Sequence, residues 1–377
     1  MSGHRRVVHV IADLRVGGAQ RLLLTWAAEA ARRGDFVTVV SLSAAEVTLG
    51  GQLQALGAEL VVLPAGPGGP VGLAAQVLRL SRVVRARRPA VVQTHLTQAH
   101  LVGLPAARLV RVPAVATIHS MLVGGDGNSN RALHAETRVL RRLAHCVLAC
   151  GAVVERLQRE RLRPARAVVV PNGVAPVPPV PEAERAALRR ELTGSLEAPV
   201  LLAVGRLAVG KGYEELMTAF AEVAATVSDV VLVVVGDGPL APALARLADQ
   251  LGIAHRVRLL GQRHDVGALM RSADVYVSAS HFEGLPLAML EAMSAGLPIV
   301  ATEVGDVPTV VDDQVGALVP PRDAGALAEA LLVVLADAAR RQRLGEGACR
   351  RVAEIAGVPE WYDRTLAVHD LAADRAR

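Results

Sequence analysis

Short, wholly apolar runs alternate with helical patterns along most of this chain, and that rhythm leaves few folds open. Val230-Val231-Leu232-Val233-Val234-Val235 is the plainest of these runs. A strand that is apolar at every position has no solvent face, so it belongs in a parallel sheet covered by helices on both sides. The first half carries such runs at Val7–Asp13, Phe36–Leu42, Glu59–Leu63, Ala90–His95, Ala114–His119, Cys146–Cys150 and Ala167–Val170. Helical patterns separate them near Ala19–Arg33, Leu73–Arg88, Gln98–Val110, Arg131–Leu143 and Ala152–Arg161.

Between Pro171 and Pro181 the text turns proline-rich, which is linker chemistry. The alternation then restarts at Pro199–Val204, Val230–Val235, Arg256–Leu260, Val275–Ser280 and Pro298–Ala301. The pattern predicts two doubly wound, Rossmann-like α/β domains facing a central cleft. The first is expected over 1–175 and the second over 176–360, with a helix near 361–377 packing back on the first. Ligands of such sheets bind outside the carboxyl ends of the strands.

Only 2% of the residues are aromatic against 52% apolar, so the cores must be built from Val, Leu, Ile and Ala. No apolar run is long enough to span a bilayer. The basic start, through Arg5 and Arg6, leads into an apolar stretch that Asp13 interrupts, with no small-residue cleavage site after it. No secretory leader is therefore expected, and a cytoplasmic enzyme is. Cys146, Cys150 and Cys349 form neither a disulfide framework nor a zinc pattern.

Several loops at the expected strand ends carry chemistry. Gly17 and Gly18 lie between the first strand and its helix, where backbone N–H groups can approach an anion, although a plain tight turn explains the pair equally well. His119 closes a strand before the polar, glycine-rich stretch 124–128. There it can donate a hydrogen bond to a substrate, or be a satisfied structural histidine. His95 ends the preceding strand in the same way and, with Asn128, is assigned to the acceptor side.

The chain has 41 Lys+Arg residues, and only Lys211 is a lysine. It sits between Gly210 and Gly212, five residues after Arg206 and just past an apolar run. A compact ammonium suits phosphate as a point charge, and two cations there can neutralise a pyrophosphate. The segment His281-Phe282-Glu283-Gly284-Leu285-Pro286-Leu287 opens a helix that contains Glu291. Pro286 suits the first helical position, and the N–H groups of Gly284, Leu285 and Leu287 make an anion seat. Eight residues apart, Glu283 and Glu291 would lie about 80° off one another on a continuous helix, so they do not act on one atom. One carboxylate is left for the reacting sugar and the other for a ribose diol.

In their order and spacing these segments resemble the retaining glycosyltransferase family 4, of the GT-B fold. The resemblance runs from Val7 to about Pro321. It rests on Gly17-Gly18-Ala19-Gln20-Arg21, Thr117-Ile118-His119, Pro171-Asn172-Gly173-Val174, Val204-Gly205-Arg206-Leu207, Lys211-Gly212, Val235-Gly236-Asp237-Gly238-Pro239 and Glu283 through Glu291. It implies transfer of a sugar from a nucleoside diphosphate, UDP favoured, to an acceptor hydroxyl with retention at the anomeric carbon and no metal or other cofactor. By the same resemblance Arg206 and Lys211 hold the diphosphate, and Gly18 turns its N–H toward it. Glu291 binds the ribose, and Gly261, Gln262 and Arg263 lie along the base. Glu283 contacts the transferred sugar, and His119 bonds it near the reacting centre. One departure stands out: where the family often has Gly-Gly-x-Pro-Glu, this chain has Gly305-Asp306-Val307-Pro308-Thr309.

Charge is divided unevenly. Residues 1–180 hold 22 Lys+Arg against 9 Asp+Glu, and the remainder 19 against 27. A basic first half suggests an anionic partner. Arg79, Arg82 and Arg85 recur along one helix, opposite an expected core stripe of Leu73, Val77, Leu80 and Val84. Further arginines gather at 138, 141 and 142 and at 156–163. The resemblance implies a glycan, lipid-linked or small-molecule acceptor, and the arginine faces suggest peripheral docking on the inner face of an anionic membrane; a solvated helix face accounts for the arginines as well. Nucleic acid is not expected, because aromatic stacking residues are nearly absent. The rivals are a glycoside hydrolase, which has no use for the cation pair, a non-catalytic nucleotide-sugar binder, and an epimerase or phosphorylase of the same fold.

Overall fold

The computed structural model describes residues 4–15, 17–44, 48–64, 69–119, 130–162 and 167–377. Val16, Arg163 and the stretch 120–129, with Asn128, lie outside the described residues. The chain divides into two compact units, Met1–Gly173 with Val358–Arg377, and Val174–Gly357.

In the first unit β1 (Arg6–Ile11), α1 (Gly18–Arg33), β2 (Phe36–Ser41), α2 (Gly50–Ala55), β3 (Glu59–Val62), α3 (Gly69–Arg87), β4 (Val91–His95) and α4 (Thr97–Leu109) follow one another. Then come β5 (Ala114–Ile118), α5 (Asn130–Leu143), β6 (Cys146–Ala149), α6 (Ala152–Arg161) and β7 (Ala167–Val169). The strands form one parallel sheet in the order β3-β2-β1-β4-β5-β6-β7. Winding reverses between β1 and β4, so the loops after those strands diverge and leave a crevice at the sheet's carboxyl end. Val8, Val10, Val92 and Ala116 are almost wholly buried, as central strands covered on both faces require.

The second unit holds α7 (Glu182–Thr193), β8 (Val200–Val204), α8 (Tyr213–Thr226), β9 (Val231–Val235), α9 (Ala241–Gln250), β10 (Val257–Leu259) and α10 (Val266–Ser272). It continues with β11 (Val275–Ser278), α11 (Leu287–Ser294), β12 (Ile299–Thr302), β13 (Gly316–Val319), α12 (Ala324–Leu335) and α13 (Ala338–Ala356). Its parallel order is β10-β9-β8-β11-β12-β13, and the winding reverses between β8 and β11.

The last helix, α14 (Val358–Ala376), returns to the first unit. Its Tyr362 ring lies 4.2 Å from Trp26 of α1, and the Tyr362 hydroxyl donates to Asp35 Oδ2 at 2.8 Å. His369 of the same helix reaches Gln93 Oε1 at 2.8 Å. With few aromatic residues in the chain, this cluster concentrates both tryptophans, since Trp361 also packs edge-on against Trp26.

Two details differ from the sequence reading. The inward face of α3 is Gly72, Gln76, Leu80 and Val84, while Leu73 is exposed. Gln76 takes the inner place because its amide nitrogen donates to the Leu42 carbonyl at 3.2 Å, which satisfies it when buried. Arg161, counted above with the surface arginines, is largely buried and pairs with Glu136 at 2.7 Å.

Arg189 of α7 fixes the two strands at the second unit's reversal. Its guanidinium donates to the carbonyls of Leu196, Ala198 and Ser272 at 2.7–2.8 Å and to Asp274 Oδ2 at 3.1 Å. That carboxylate oxygen also accepts the Val200 N–H at 2.8 Å, so one buried cation ties the starts of β8 and β11 together. Removing it strands three carbonyls and a carboxylate. Arg189→Met is expected to lower unfolding free energy by about 3–5 kcal/mol, read from urea titration of the purified protein.

Candidate functional site

In the second unit, the loops at the carboxyl end of the sheet are woven into one another. The loop after β8 (205–212) and the loop after β11 (279–286) meet at several points. The His281 N–H donates to the Gly210 carbonyl at 2.8 Å, and the Phe282 ring packs on Gly210. Gly212, at φ +65, lies so close to the Ala279 carbonyl that any side chain would overlap it. Two demands thus select glycine there: a left-handed backbone and a neighbour at backbone distance.

That contact aims Lys211 at Glu283. The ammonium reaches Glu283 Oε1 at 2.5 Å, and the same oxygen accepts the Ser280 hydroxyl at 2.7 Å. The carboxylate side chain is only 12% exposed and the lysine 34%, so the pair is shielded from full solvent screening. The sequence reading gave these two residues separate ligands, yet the structure joins them directly. An ammonium has three donors, and one is spent on Glu283. His281 forms a second cross-link, with Nε2 2.8 Å from Glu215 Oε1 of α8.

The loop after β12 closes on the same segment. Gly305, at φ +57, faces the Glu283 carbonyl with no room for a side chain, and the Asp306 N–H donates to the Gly284 carbonyl at 3.0 Å. Asp306 is buried, and Val307–Thr309 forms a single 3-10 turn around Pro308. On the other side, the Leu207 N–H donates to the Asp237 carbonyl at 2.9 Å and the Gly236 N–H to the Gly261 carbonyl at 2.8 Å.

Pro286 is the residue before α11 rather than its first member, and Leu287 opens the helix. Among the described residues the N–H groups of Gly284, Leu285 and Leu287 have no acceptor. The Leu285 side chain is core, so its contribution to any ligand is its backbone. Arg206 and Gln262 are exposed. Arg263 is engaged by Asp265 at 2.7–2.8 Å, an internal pairing the sequence reading did not include. Glu291 lies on α11, half-buried. Burial raises the Tyr276 phenol well above its ordinary value, with Tyr213, Glu283 and Glu291 adding to the effect.

In the first unit the carboxyl ends of β1, β4 and β5 carry Gly17 and Gly18, His95, and His119. Gly18 is the first residue of α1, and a side chain there would meet nothing within contact distance, so the helix end is open. His95 and His119 come together: His95 Nδ1 lies 3.0 Å from His119 Nε2. His9, which the sequence reading passed over, lies 3.0 Å from the other nitrogen of His95. A histidine inside the run Val7-Val8-His9-Val10 was the available signal, because a polar residue amid buried strand positions needs a partner. Ser280, His281 and Phe282 were not assigned a part, although the last two head the quoted Glu283 segment, because the contacts of His281 with Glu215 and of Phe282 with Gly210 join residues far apart in sequence. Among the described residues, no group of three or more His, Cys, Asp or Glu side chains is placed to hold a metal ion.

A family model described as Glycosyltransferase Family 4 matches residues 16–177, and one described as Glycosyl transferases group 1 matches residues 184–351. A D-inositol 3-phosphate glycosyltransferase of Salinispora tropica is 32% identical over 329 residues, 80% of this chain and 67% of that one. The chain belongs to the family 4 glycosyltransferases. A glycogen synthase of Mycobacterium tuberculosis is 32% identical over 283 residues, 71% of this chain, and the match spans 65% of that relative's length. The HepE protein of Anabaena, crystallised with UDP and glucose, superposes with a TM-score of 0.86 at 21% identity, covering 97% of this chain and 99% of that one. The two doubly wound sheets are therefore those of GT-B glycosyltransferases.

Burial sets the charge state of the histidines. It pushes His9 down to about 3, with His369 adding to the effect, and His119 to about 3, with His100 adding. His369 falls to about 3 and His100 to about 4 for the same first reason, and His95 lies well below the usual range. Groups depressed in the folded state bind protons more readily once unfolded, so their stability contribution is complete above about 6.5 and shrinks as pH falls toward 3–4. Each such histidine steepens the loss by up to about 1.4 kcal/mol per pH unit. Urea midpoints measured from pH 7 to pH 5 are expected to fall steadily, and His9→Phe should make that slope shallower.

Proposed function

We propose that this protein transfers a sugar from a nucleoside-diphosphate sugar, UDP-linked by preference, to an acceptor hydroxyl, with retention of the anomeric configuration and no catalytic metal. The observation that carries this reading is the Lys211–Glu283 pair at the second unit's topological reversal, with Arg206 on the same loop as Lys211 and, following Glu283, three N–H groups that have no acceptor among the described residues. Lys211 keeps two of its three donors for phosphate oxygens while holding Glu283 in place. Negative charge grows on the diphosphate as the sugar leaves. In this reading Lys211, Arg206 and the N–H groups of Gly284, Leu285 and Leu287 offset that charge. Glu283 is then the carboxylate beside the transferred sugar, Glu291 the partner of the ribose diol, and Gly261 with Gln262 the flank of the base. The crystallisation of HepE with UDP and with UDP-glucose supports the donor class.

Thermal shift against UDP-, GDP-, ADP- and TDP-sugars tests the donor, and a uniform lack of stabilisation would remove it. Lys211→Ala is expected to lower turnover by two to three orders of magnitude, about 3–4 kcal/mol of transition-state stabilisation. Lys211→Arg should recover little of that, because a planar fork fits poorly where a compact ammonium bridges carboxylate and phosphate. Near wild-type turnover in both variants would contradict a leaving-group role.

For the acceptor we infer one presented at an anionic membrane surface. Val71, Leu78, Arg82 and Arg85 fall within about 60° on α3 and are all exposed. Val71 is 72% and Leu78 54% exposed, so the face combines apolar tips with paired cations. Among the described residues no helix is long and apolar enough to cross a membrane. Co-sedimentation with phosphatidylserine vesicles at low salt should capture the protein, and Arg82→Glu with Arg85→Glu should release it. An equal pellet with neutral vesicles would rule out the electrostatic part.

A further inference from the structure

His9, His95 and His119 form a continuous chain of imidazoles across three adjacent strands. His9 lies within β1, His95 ends β4, and His119 follows β5. Register places Ile11 beside His95 and His95 beside Thr117, which stacks the three rings at centroid distances of 5.3 and 5.2 Å. The hydrogen bonds run from His9 Nδ1 to His95 Nε2 and from His95 Nδ1 to His119 Nε2, each 3.0 Å.

A neutral imidazole has one N–H and one lone pair, so each ring's choice dictates the next. Only two proton arrangements satisfy both bonds. In one, every N–H points from His9 toward His119, and His119 carries its own proton on Nδ1. In the other all directions reverse, and the leftover proton sits on His9 Nε2.

The surroundings of His9 separate the two. Among the described residues His9 Nε2 has no partner, and neither does the indole N–H of Trp26, whose ring lies edge-on 5.1 Å from His9. The reversed arrangement would bury a second orphan donor beside the first. The forward arrangement leaves a lone pair there instead, complementary to an indole N–H, and moves the unpaired donor to His119 Nδ1 at the other end. A small cavity lined by His9, Trp26, His95 and His119 runs along the chain. His119 Nδ1, at the other end, is likewise unpartnered among the described residues.

We propose that His9 and His95 are positioning residues that lock His119 as a neutral Nδ1–H tautomer, so that it meets a substrate oxygen only as a donor. The substrate part rests on the transferase reading above; the tautomer itself does not. Nitrogen-15 NMR of the full chain labelled at histidine reads the tautomer without substrate, with His119→Gln assigning the resonances. The expected result is His119 protonated at Nδ1 and bare at Nε2, unchanged from pH 8 to pH 6. A wild-type His119 protonated at Nε2, or one that becomes doubly protonated in that range, overturns the proposal whether or not any variant folds. His9→Phe is expected to give mixed tautomers at His119, and His9→Gln, whose amide can still donate to His95, to restore the Nδ1–H form. A His119 that stays wholly Nδ1–H in His9→Phe shows that His9 is not the lock. With a donor sugar, His9→Phe should lower kcat about tenfold and leave KM within about twofold. If the protein transfers no sugar while the NMR result holds, the functional reading has failed and the tautomer lock stands.

Discussion

Backbone packed directly on backbone holds the carboxyl end of the second sheet together. At Gly212 and Gly305 the chain runs so near the carbonyls of Ala279 and Glu283 that no side chain fits between. These contacts join the loops after β8, β11 and β12 into one body. They leave Lys211 and Glu283 little choice but to face each other, 72 residues apart in sequence. Such loops cannot drift independently, which is what a preorganised electrostatic site requires. Arg189 extends the same logic downward, because it fixes the strand starts from which those loops spring.

The first unit solves its positioning problem by different means. Its sheet ends are organised by buried imidazoles and amides: the His9–His95–His119 chain, and beside it His369 to Gln93 to Thr117. Gln93 donates to Thr117 Oγ1 at 2.8 Å, so its carbonyl oxygen must accept from His369. Buried polar networks of this kind specify one arrangement when every bond is made. The acid sensitivity of neutral histidines is the counterpart of that specificity.

The two-sheet architecture was legible because parallel strands buried on both faces leave no polar positions, as Val231–Val235 shows. β13 escaped because it opens with a glycine, Gly316, pressed on the Ile299 carbonyl, which breaks the apolar run that marked the other strands. The expected stripe of α3 holds at Leu80 and Val84 but shifts at its start from Leu73 to Gly72 and Gln76, because Gln76, polar by type, is buried by virtue of one hydrogen bond. In the candidate site, the residue types at strand ends could be read, since loops there must carry the chemistry. Their pairing could not. The Lys211–Glu283 contact depends on which loops the strand order makes neighbours, and Arg263 turning to Asp265 depends on a local competition for its fork.

The final helix imposes an order on synthesis. Trp26, on the first helix, packs against Trp361, Tyr362 and His369, all of which belong to α14. Every residue of the second unit leaves the ribosome before they do. A nascent first unit therefore lacks the helix that packs on Trp26 until the second unit, continuous in sequence, has been made. The side of α1 that bears Trp26 thus lacks its cover until α14 has been made, and synthesis halted before Val358 would leave it exposed.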